Sequence, residues 1–357
     1  MILVTGGCGF IGSAFILDWV SQGHGPVVNL DLLTYAGHLG NLDSVQDHPA
    51  YRFVHGDIAD SALVGSLLAE HRPRAVVHFA AESHVDRSIA GPLAFVQTNV
   101  LGTARLLEAV LAYWQGLPPA DAAAFRFLNV STDEVYGSLL PDEPPFSEQR
   151  KYEPNSPYSA SKASADHLVR AWRETWGLPT LTTHCSNNYG PRQFPEKLIP
   201  LVIHNALKDM PLPVYGDGLQ VRDWLHVEDH CAALRAVLAS ANPGDTFNIG
   251  GRSERTNLSV VHTICTALDA LRPKPSGGSY ASQIVHVTDR RGHDRRYAID
   301  DRKIATTLGW RPSIDFDQGI RRTVAWYLDH QAWVDSVTSG SYRQWLDQQY
   351  ARPRQSA

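Results

Sequence analysis

The chain has 357 residues, 43% of them apolar, which is enough for a sizeable core in one large or two ordinary domains. Its formal net charge of −5 provides no electrostatic footprint for nucleic acid. Four scattered cysteines, Cys8, Cys185, Cys231 and Cys265, include no C-x-x-C pair and argue for a reduced, cytoplasmic protein rather than a disulfide scaffold. No run approaches the about 20 apolar residues of a membrane span. Met1 to Thr5 reads as a strand, not as a signal peptide with a basic flank. There is no internal repeat and no low-complexity tract.

Ile2 to Thr5 is a short β run, followed by Gly6, Gly9 and Gly12 spaced G-x-x-G-x-x-G. A helical pattern then places Ile11, Phe15, Ile16, Trp19 and Val20 on one face. Strand, glycine turn and helix start make a phosphate site, because backbone can approach a pyrophosphate and the helix end supplies free N–H groups. Cys8 inside the turn reads as a small filler. A second strand ends at Asp31, about 20 residues past the glycines, where a carboxylate accepts from both ribose hydroxyls and repels a 2′-phosphate. That favours NAD over NADP. A third strand, Tyr51 to His55, leads to Asp57, placed to contact an adenine. A fourth, from Ala75 to Phe79, runs into Ala80-Ala81, where small residues suit either a flat ligand or tight helix packing. Strands alternating with helices predict an α/β fold, a doubly wound parallel sheet of Rossmann type.

Leu93 to Trp114 reads as one long helix. Within it Asn99 is either a buried hydrogen-bonding group or a solvated one; periodicity does not decide. Gly116 to Ala122 reads as a proline-bearing loop. Next comes a buried strand, Phe125 to Val130, ending in Ser131-Thr132-Asp133-Glu134-Val135-Tyr136-Gly137. Open α/β sheets keep their chemistry beyond such strand ends, although Ser, Thr, Asp and Gly are also ordinary turn residues. Pro157 opens a further helix on which Tyr158 and Lys162 share one side at i and i+4. A lysine ammonium beside a phenol favours the phenolate, so Tyr158 is expected to have a lowered pKa and to act as a base.

The glycine turn, the Ser-Thr strand end and Y-x-x-x-K together resemble the extended short-chain dehydrogenase/reductase family over nearly the whole chain. Within it, Thr132-Asp133-Glu134 resembles the pattern of nucleotide-sugar 4,6-dehydratases. The resemblance implies that Thr132, Tyr158 and Lys162 handle proton removal from a sugar hydroxyl while NAD accepts hydride. Glu134 would then be the base at C5 and a protonated Asp133 the acid at the C6 hydroxyl. Two close carboxylates resist double ionisation, which suits one charged and one neutral partner.

The same likeness implies a cofactor set of Gly6, Gly9, Phe10, Ile11, Gly12, Asp31, Leu32, Leu33, Thr34, Asp57, Ile58, Ala80, Ala81, Ser83, Thr98, Tyr158, Lys162 and Asn188. For the substrate, dTDP-glucose, it implies His84, Thr132, Asn187, Glu196, Lys197, Leu198, Pro213, Tyr215, Arg222, Asn257, Arg290, His293, Arg295 and Tyr297, with 290–297 as a lid over the diphosphate. It further implies a homodimer built from the helix after Pro92 and the Tyr158 helix. Residues 1–186 are expected to bind NAD, with a return at about 221–250, and 187–357 mainly to form a smaller α/β substrate domain.

Some of these readings compete with plainer ones. Arg222 beside Asp223 is either a diphosphate ligand or half of a structural ion pair. The basic run from Arg290 to Tyr297 is either a lid or a solvated loop. His226 and His230 bracket Glu228 and Asp229, but the spacing is not H-E-x-x-H; a helix start with an acidic first turn is expected, and no metal. The tail offers an amphipathic helix near Ile320, Val324 and Leu328, then Tyr342, Trp345, Leu346 and Tyr350 to complete a core. Dehydration of UDP- or CDP-glucose, nucleotide-sugar 4-epimerisation and a non-catalytic NAD sensor are the alternative functions. Neither nucleic acid nor a membrane is expected as a partner.

Overall fold

The computed structural model describes residues 1–289, 292–338 and 340. In chain order its first half contains β1 (Ile2–Thr5), α1 (Phe10–Ser21), β2 (Val27–Asp31), β3 (Tyr51–His55), α2 (Ser61–His71), β4 (Ala75–His78), α3 (Val85–Ala90) and α4 (Pro92–Phe95). Then come α5 (Thr103–Gln115), α6 (Pro119–Ala124), β5 (Arg126–Thr132), α7 (Pro157–Trp176) and β6 (Thr180–Cys185). The second half adds β7 (Asn187–Tyr189), α8 (Leu198–Leu207), β8 (Leu212–Tyr215), β9 (Val221–His226), α9 (Val227–Ser240) and β10 (Thr246–Ile249). It closes with β11 (Glu254–Thr256), α10 (Asn257–Leu271), β12 (Ile284–Val287), α11 (Arg302–Leu308), α12 (Phe316–Asp329) and α13 (Gln331–Thr338).

Seven strands form one parallel sheet in the order β3-β2-β1-β4-β5-β6-β10. The strands of its middle read as continuous apolar runs because helices cover both faces. On one face α1 and α9 enclose Phe15, Ile16, Val77, Leu128 and Leu234. On the other, α2, α5 and α7 enclose Leu30, Val76, Leu107, Phe127 and Val169. Strand order reverses between β1 and β4, and that switch point opens a crevice beyond the carboxyl ends of the strands. Of the stretch 221–250, α9 packs on α1 and β10 joins the sheet, whereas β9 pairs with β7 and β11 in a separate three-stranded sheet. A second apolar core, with Ile203, Val261, Ile264, Ile320 and Val324, gathers α8, α10 and α12.

Two local expectations differ from the structure. The helix after Pro92 is not uniform: Val96–Gly102 winds as a π-helix between α4 and α5. The wider turn accommodates Asn99, which is buried, accepts from the Glu82 amide at 2.9 Å, and donates to the Glu82 carbonyl at 3.0 Å and to Ser161 Oγ at 2.9 Å. The segment expected as a loop contains the short helix α6, started by Pro118 and Pro119. Helix α7 is defined at both ends. Ser156 accepts from the Ser159 amide while Ser159 Oγ accepts from the Ser156 amide, and Gly177 closes the helix in the left-handed region. The tail residues Tyr342, Trp345, Leu346 and Tyr350 lie outside the described residues.

Candidate active site

The glycine turn between β1 and α1 is shaped by contacts that exclude a side chain. Gly6 has φ +72°, and a Cβ there would sit 2.5 Å from the Ala80 amide nitrogen at the end of β4. A Cβ on Gly12 would lie 2.3 Å from the Gly6 carbonyl oxygen. Gly9 is the N-cap of α1 and makes no side-chain cap bond, so the first-turn N–H groups face the crevice without a side-chain acceptor. At the end of β2, Asp31 accepts from the Cys8 amide at 2.8 Å and the Leu33 amide at 2.7 Å, one on each carboxylate oxygen. Burial pushes its carboxyl up, and these backbone bonds pull it back.

A single cleft of about 340 Å³ runs from this turn to the end of β5. Of the residues expected at the cofactor it is lined by Gly6, Gly9, Phe10, Ile11, Gly12, Asp31, Leu32, Thr34, Asp57, Ile58, Ala80, Ala81, Ser83, Thr98, Tyr158, Lys162 and Asn188. Leu33 does not line it; at φ +55° its side chain turns into the core while its amide holds Asp31. Thr132, Asp133, Glu134, Asn187, Glu196 and Lys197 line the same cleft. His84 stands just behind, its Nε2 3.8 Å from Glu196 Oε2, and Lys197 Nζ donates to the Ser83 carbonyl at 2.8 Å.

The other residues expected at the substrate are spread along the second sheet system. Leu198 starts α8 and packs on the second core, and Asn257 starts α10 with its amide on the Gln220 carbonyl. Pro213 and Tyr215 lie on β8, with Tyr215 edge-on to His293, whose Nδ1 is 2.6 Å from Asp289 Oδ1. Arg295 makes two bonds to Asp217, at 2.9 and 3.0 Å. Arg290 lies outside the described residues. Arg222 and Asp223, adjacent on β9, reach different partners. Arg222 stacks 4.1 Å over the Tyr297 ring and donates to the Val221 and Asp294 carbonyls, while Asp223 accepts from the Gly251 and Ser253 amides.

A single turn of 3₁₀ helix, Asp133–Tyr136, carries the paired carboxylates off the end of β5. Asp133 is only 1% exposed, and its Oδ2 has no hydrogen-bond partner among the described residues. Burial first, then the charge of Glu134 and of Asp223, push its carboxyl well above the usual range, against the pull of Arg222. This carboxyl holds its proton where an ordinary one would lose it.

Tyr158 departs from expectation. Burial and the Glu134 charge push its phenol up, with only Thr132 donating against them, while Lys162 Nζ is engaged at 3.0 Å by the Val130 carbonyl. Burial pulls Lys162 down. A neutral phenol is the consequence of its burial with the Glu134 charge beside it.

Several cleft residues carried no signal that sequence reading used. Glu82 follows Ala80-Ala81 and is gripped through its backbone by Asn99. Phe194 and Gln193 line the wall opposite, Gln193 donating to the Asn188 carbonyl. Cys185 donates to the Ser131 carbonyl, and burial pushes its thiol up to about 12, so it is inert at neutral pH. His226 caps α9 by accepting from the Glu228 amide, and His230 Nδ1 lies 2.9 Å from Asn188 Oδ1. Among the described residues no group of three or more His, Cys, Asp or Glu is placed to hold a metal. No helix among them is long and apolar enough to cross a membrane.

The sheet, the glycine cradle and the Tyr–Lys pair beside two carboxylates can be set against known proteins. Residues 3–323 match the family model described as GDP-mannose 4,6 dehydratase. The chain is 62% identical to the dTDP-glucose 4,6-dehydratase of Xanthomonas campestris pv. campestris over 341 residues, covering 96% of this chain and 97% of that one. It is 55% identical to dTDP-glucose 4,6-dehydratase 1 of Escherichia coli strain K12, with 98% of each covered. Among solved structures it is similar to DesIV, a dTDP-glucose 4,6-dehydratase from Streptomyces venezuelae crystallised with NAD and TYD bound, at a TM-score of 0.85 and 45% identity, covering 94% of this chain and 99% of that one. The chain belongs to the GDP-mannose 4,6 dehydratase family.

Proposed function

We infer that the protein is an NAD-dependent hydro-lyase that converts dTDP-glucose to dTDP-4-keto-6-deoxyglucose and water. The observation that carries this reading is Asp133, a buried carboxyl pushed up in proton affinity with one bare oxygen, beside Glu134 at the strand end that also presents Thr132 to Tyr158. An epimerase has no use for such an acid.

The cleft suits NAD: Gly6 and Gly12 leave room only for backbone where a pyrophosphate would lie, and each Asp31 oxygen keeps a lone pair for a ribose hydroxyl. Bound NAD supplies a hydride acceptor and donor and, when oxidised, a positive charge beside the phenol. Thr132 and Tyr158 orient the C4 hydroxyl, and Tyr158, ionised with the help of that charge and of Lys162, takes its proton as C4 becomes a ketone. The ketone acidifies C5–H, which Glu134 removes. Asp133 gives its proton to the departing C6 hydroxyl, which leaves as water. Hydride returns to C6, and Glu134 returns its proton to C5. The proton gained at Tyr158 makes good the one given up by Asp133, so the site resets with no net proton.

The substrate reading extends to Asn187, Glu196, Lys197, Arg222, Asn257, His293 and Arg295 around the diphosphate and sugar, with Arg222 held flat by Tyr297 as a fork for oxygen ligands. Residues 1–186, with the return at about 221–250, then serve mainly the cofactor, and the rest of 187–357 mainly the nucleotide sugar. A cytoplasmic location is in keeping with four buried, unpaired cysteines. A homodimer is supported by the apolar side chains exposed on and beside the helix after Pro92, namely Ile89, Leu93, Val96 and Leu101.

The test is incubation of the purified protein with dTDP-glucose, followed by mass and by absorbance of the product in base. Loss of one water with no net NAD consumption is expected, and exhaustive chelation should leave the rate intact. An unchanged mass with a galactose isomer would mean epimerisation. No reaction with dTDP-, UDP- or CDP-glucose would leave a sensor.

A further inference from the structure

Behind the carboxylates, away from the cleft, lies a charged group that the proposed chemistry does not use. Asp166 sits on α7 one turn beyond Lys162 and two turns beyond Tyr158, so all three share a helix face. It is 5% exposed. Asn129 Nδ2 donates to its Oδ1 at 2.7 Å and Ser131 Oγ to its Oδ2 at 2.8 Å. Tyr152 donates to Oδ2 at 3.3 Å, and His184 Nε2 on β6 stands 3.1 Å from the same oxygen. Asn129 and Ser131 alternate on β5 and therefore point to the same face, while Val130 between them offers its carbonyl to Lys162 Nζ at 3.0 Å. Three consecutive residues of β5 are thus clasped to α7 by Lys162 and Asp166. The next three, Thr132, Asp133 and Glu134, are the ones that face the substrate in the reading above.

We propose that Asp166 is a positioning residue: its buried carboxylate pins the Tyr158–Lys162 face of α7 to the end of β5 and provides the counter-charge that keeps Lys162 an ammonium. This rests on the assignment of Tyr158 and Lys162 to proton transfer. A lysine that is 4% exposed, with the Val130 carbonyl as its hydrogen-bond partner, is costly to keep charged without a nearby anion. His184 on β6, 3.1 Å from Asp166 Oδ2, faces the same carboxylate and brings no negative charge to Lys162, and the other titratable groups around this pair do not replace Asp166. His78 on β4 is itself pulled down by burial and by Lys162, and the Cys185 thiol on β6 keeps its proton at neutral pH. Tyr136 and Tyr152 are pushed far up by burial and stay neutral, and so does Tyr158 before the cofactor arrives. Burial also pushes up the Asp133 carboxyl, while Glu134 beside it faces the cleft. Asp166 is the carboxylate on Lys162's own face, and its attraction raises the lysine against its burial.

The experiment uses NAD-loaded protein and compares Asp166→Asn with the native chain. It reads single-turnover NADH appearance on adding dTDP-glucose across pH, together with KM and thermal stability. Without the counter-charge Lys162 loses its proton earlier, so the alkaline fall in C4 oxidation should move down by about one pH unit. On that alkaline limb the rate should drop roughly tenfold with KM nearly unchanged, and Asp166→Glu should restore the native limb. A variant that melts earlier but keeps the native pH limb would reduce Asp166 to a fold anchor and overturn the proposal. If Asp166→Asn does not fold, the double variant with Lys162→Met, which leaves no buried ammonium unpaired, should recover folded protein; a double variant as unfolded as the single would equally overturn it. Tyr158→Phe distinguishes this from failure of the underlying reading, because full C4 oxidation in that variant would remove Tyr158 as the base and the proposal with it.

Discussion

Glu134 and Asp133 are adjacent in sequence yet unequal in surroundings, and the inequality is what a dehydration needs. Asp133 is sealed under Arg222, Asp223 and the 3₁₀ turn, while Glu134 faces the cleft with the Tyr297 phenol in its field. Glu134→Gln should therefore bind nucleotide sugar normally and stall after C4 oxidation, accumulating NADH absorbance without product, a loss of about 10²-fold or more in turnover. Normal turnover in that variant would remove Glu134 as the base. Gly12 makes a second prediction at this scale. A methyl group there meets the Gly6 carbonyl at 2.3 Å, and backbone cannot yield as a flexible side chain can. Gly12→Ala should cost about 1–3 kcal/mol of stability and release NAD on gel filtration. Protein that keeps both its melting point and its NAD would show that the turn has slack. The chemical identity of these residues was legible in the sequence, because G-x-x-G-x-x-G and Thr-Asp-Glu are written contiguously. The state of Tyr158 was not, because the burial that chiefly raises its phenol, and the Glu134 charge at the end of β5 that adds to it, arise only when α7 packs on the sheet.

At the scale of elements, β5 and α7 form the working unit, and polar groups buried between helices and strands set its acid tolerance. His78 on β4 lies between Thr5 and Thr103, at 2.8 and 3.0 Å, and burial, reinforced by Lys162, pushes it down to about 3. Burial alone pushes His230 on α9 down to about 3. Both imidazoles are neutral in the folded state and take up protons more readily when unfolded. The stability they contribute is complete above their ordinary value near 6.5 and is lost as pH falls towards 3, roughly 2–4 kcal/mol each. Thermal melts should thus show a midpoint declining steadily below about pH 6. A midpoint flat down to pH 4 would contradict the burial of both rings. Elements with a strong apolar period were readable, α12 among them, whereas the π-helical turn at Asn99 was not. Its cause is a long-range demand, the Glu82 backbone and Ser161, that leaves no local trace.

For the whole molecule, the unpartnered surface is as informative as the core. Leu93 is 79% exposed, with Ile89, Val96 and Leu101 nearby, on the helical segment that packs on α7 on its inner side. Isolated exposed leucines are unremarkable, but Leu93, Val96 and Leu101 on one helical segment, with Ile89 on the short helix before it, are the surface the proposed dimer would cover. Light scattering should report a dimer for the native chain and a monomer for Leu93→Asp; a native monomer would sink this assembly.

Period and punctuation alone determined the parallel sheet, its glycine turn and the Tyr–Lys helix, because strand pattern, capping and i,i+4 spacing are local properties of a chain. Only the tertiary structure decided that Asp133 and not Glu134 is sealed from water, that Arg222 and Asp223 part company, and that Asp166 stands behind Lys162. Burial and the neighbours that set charge are supplied by β6, β9 and the segment of Asp294 and Tyr297, tens of residues away or more, and electrostatics depends on distance in space, which sequence separation does not encode.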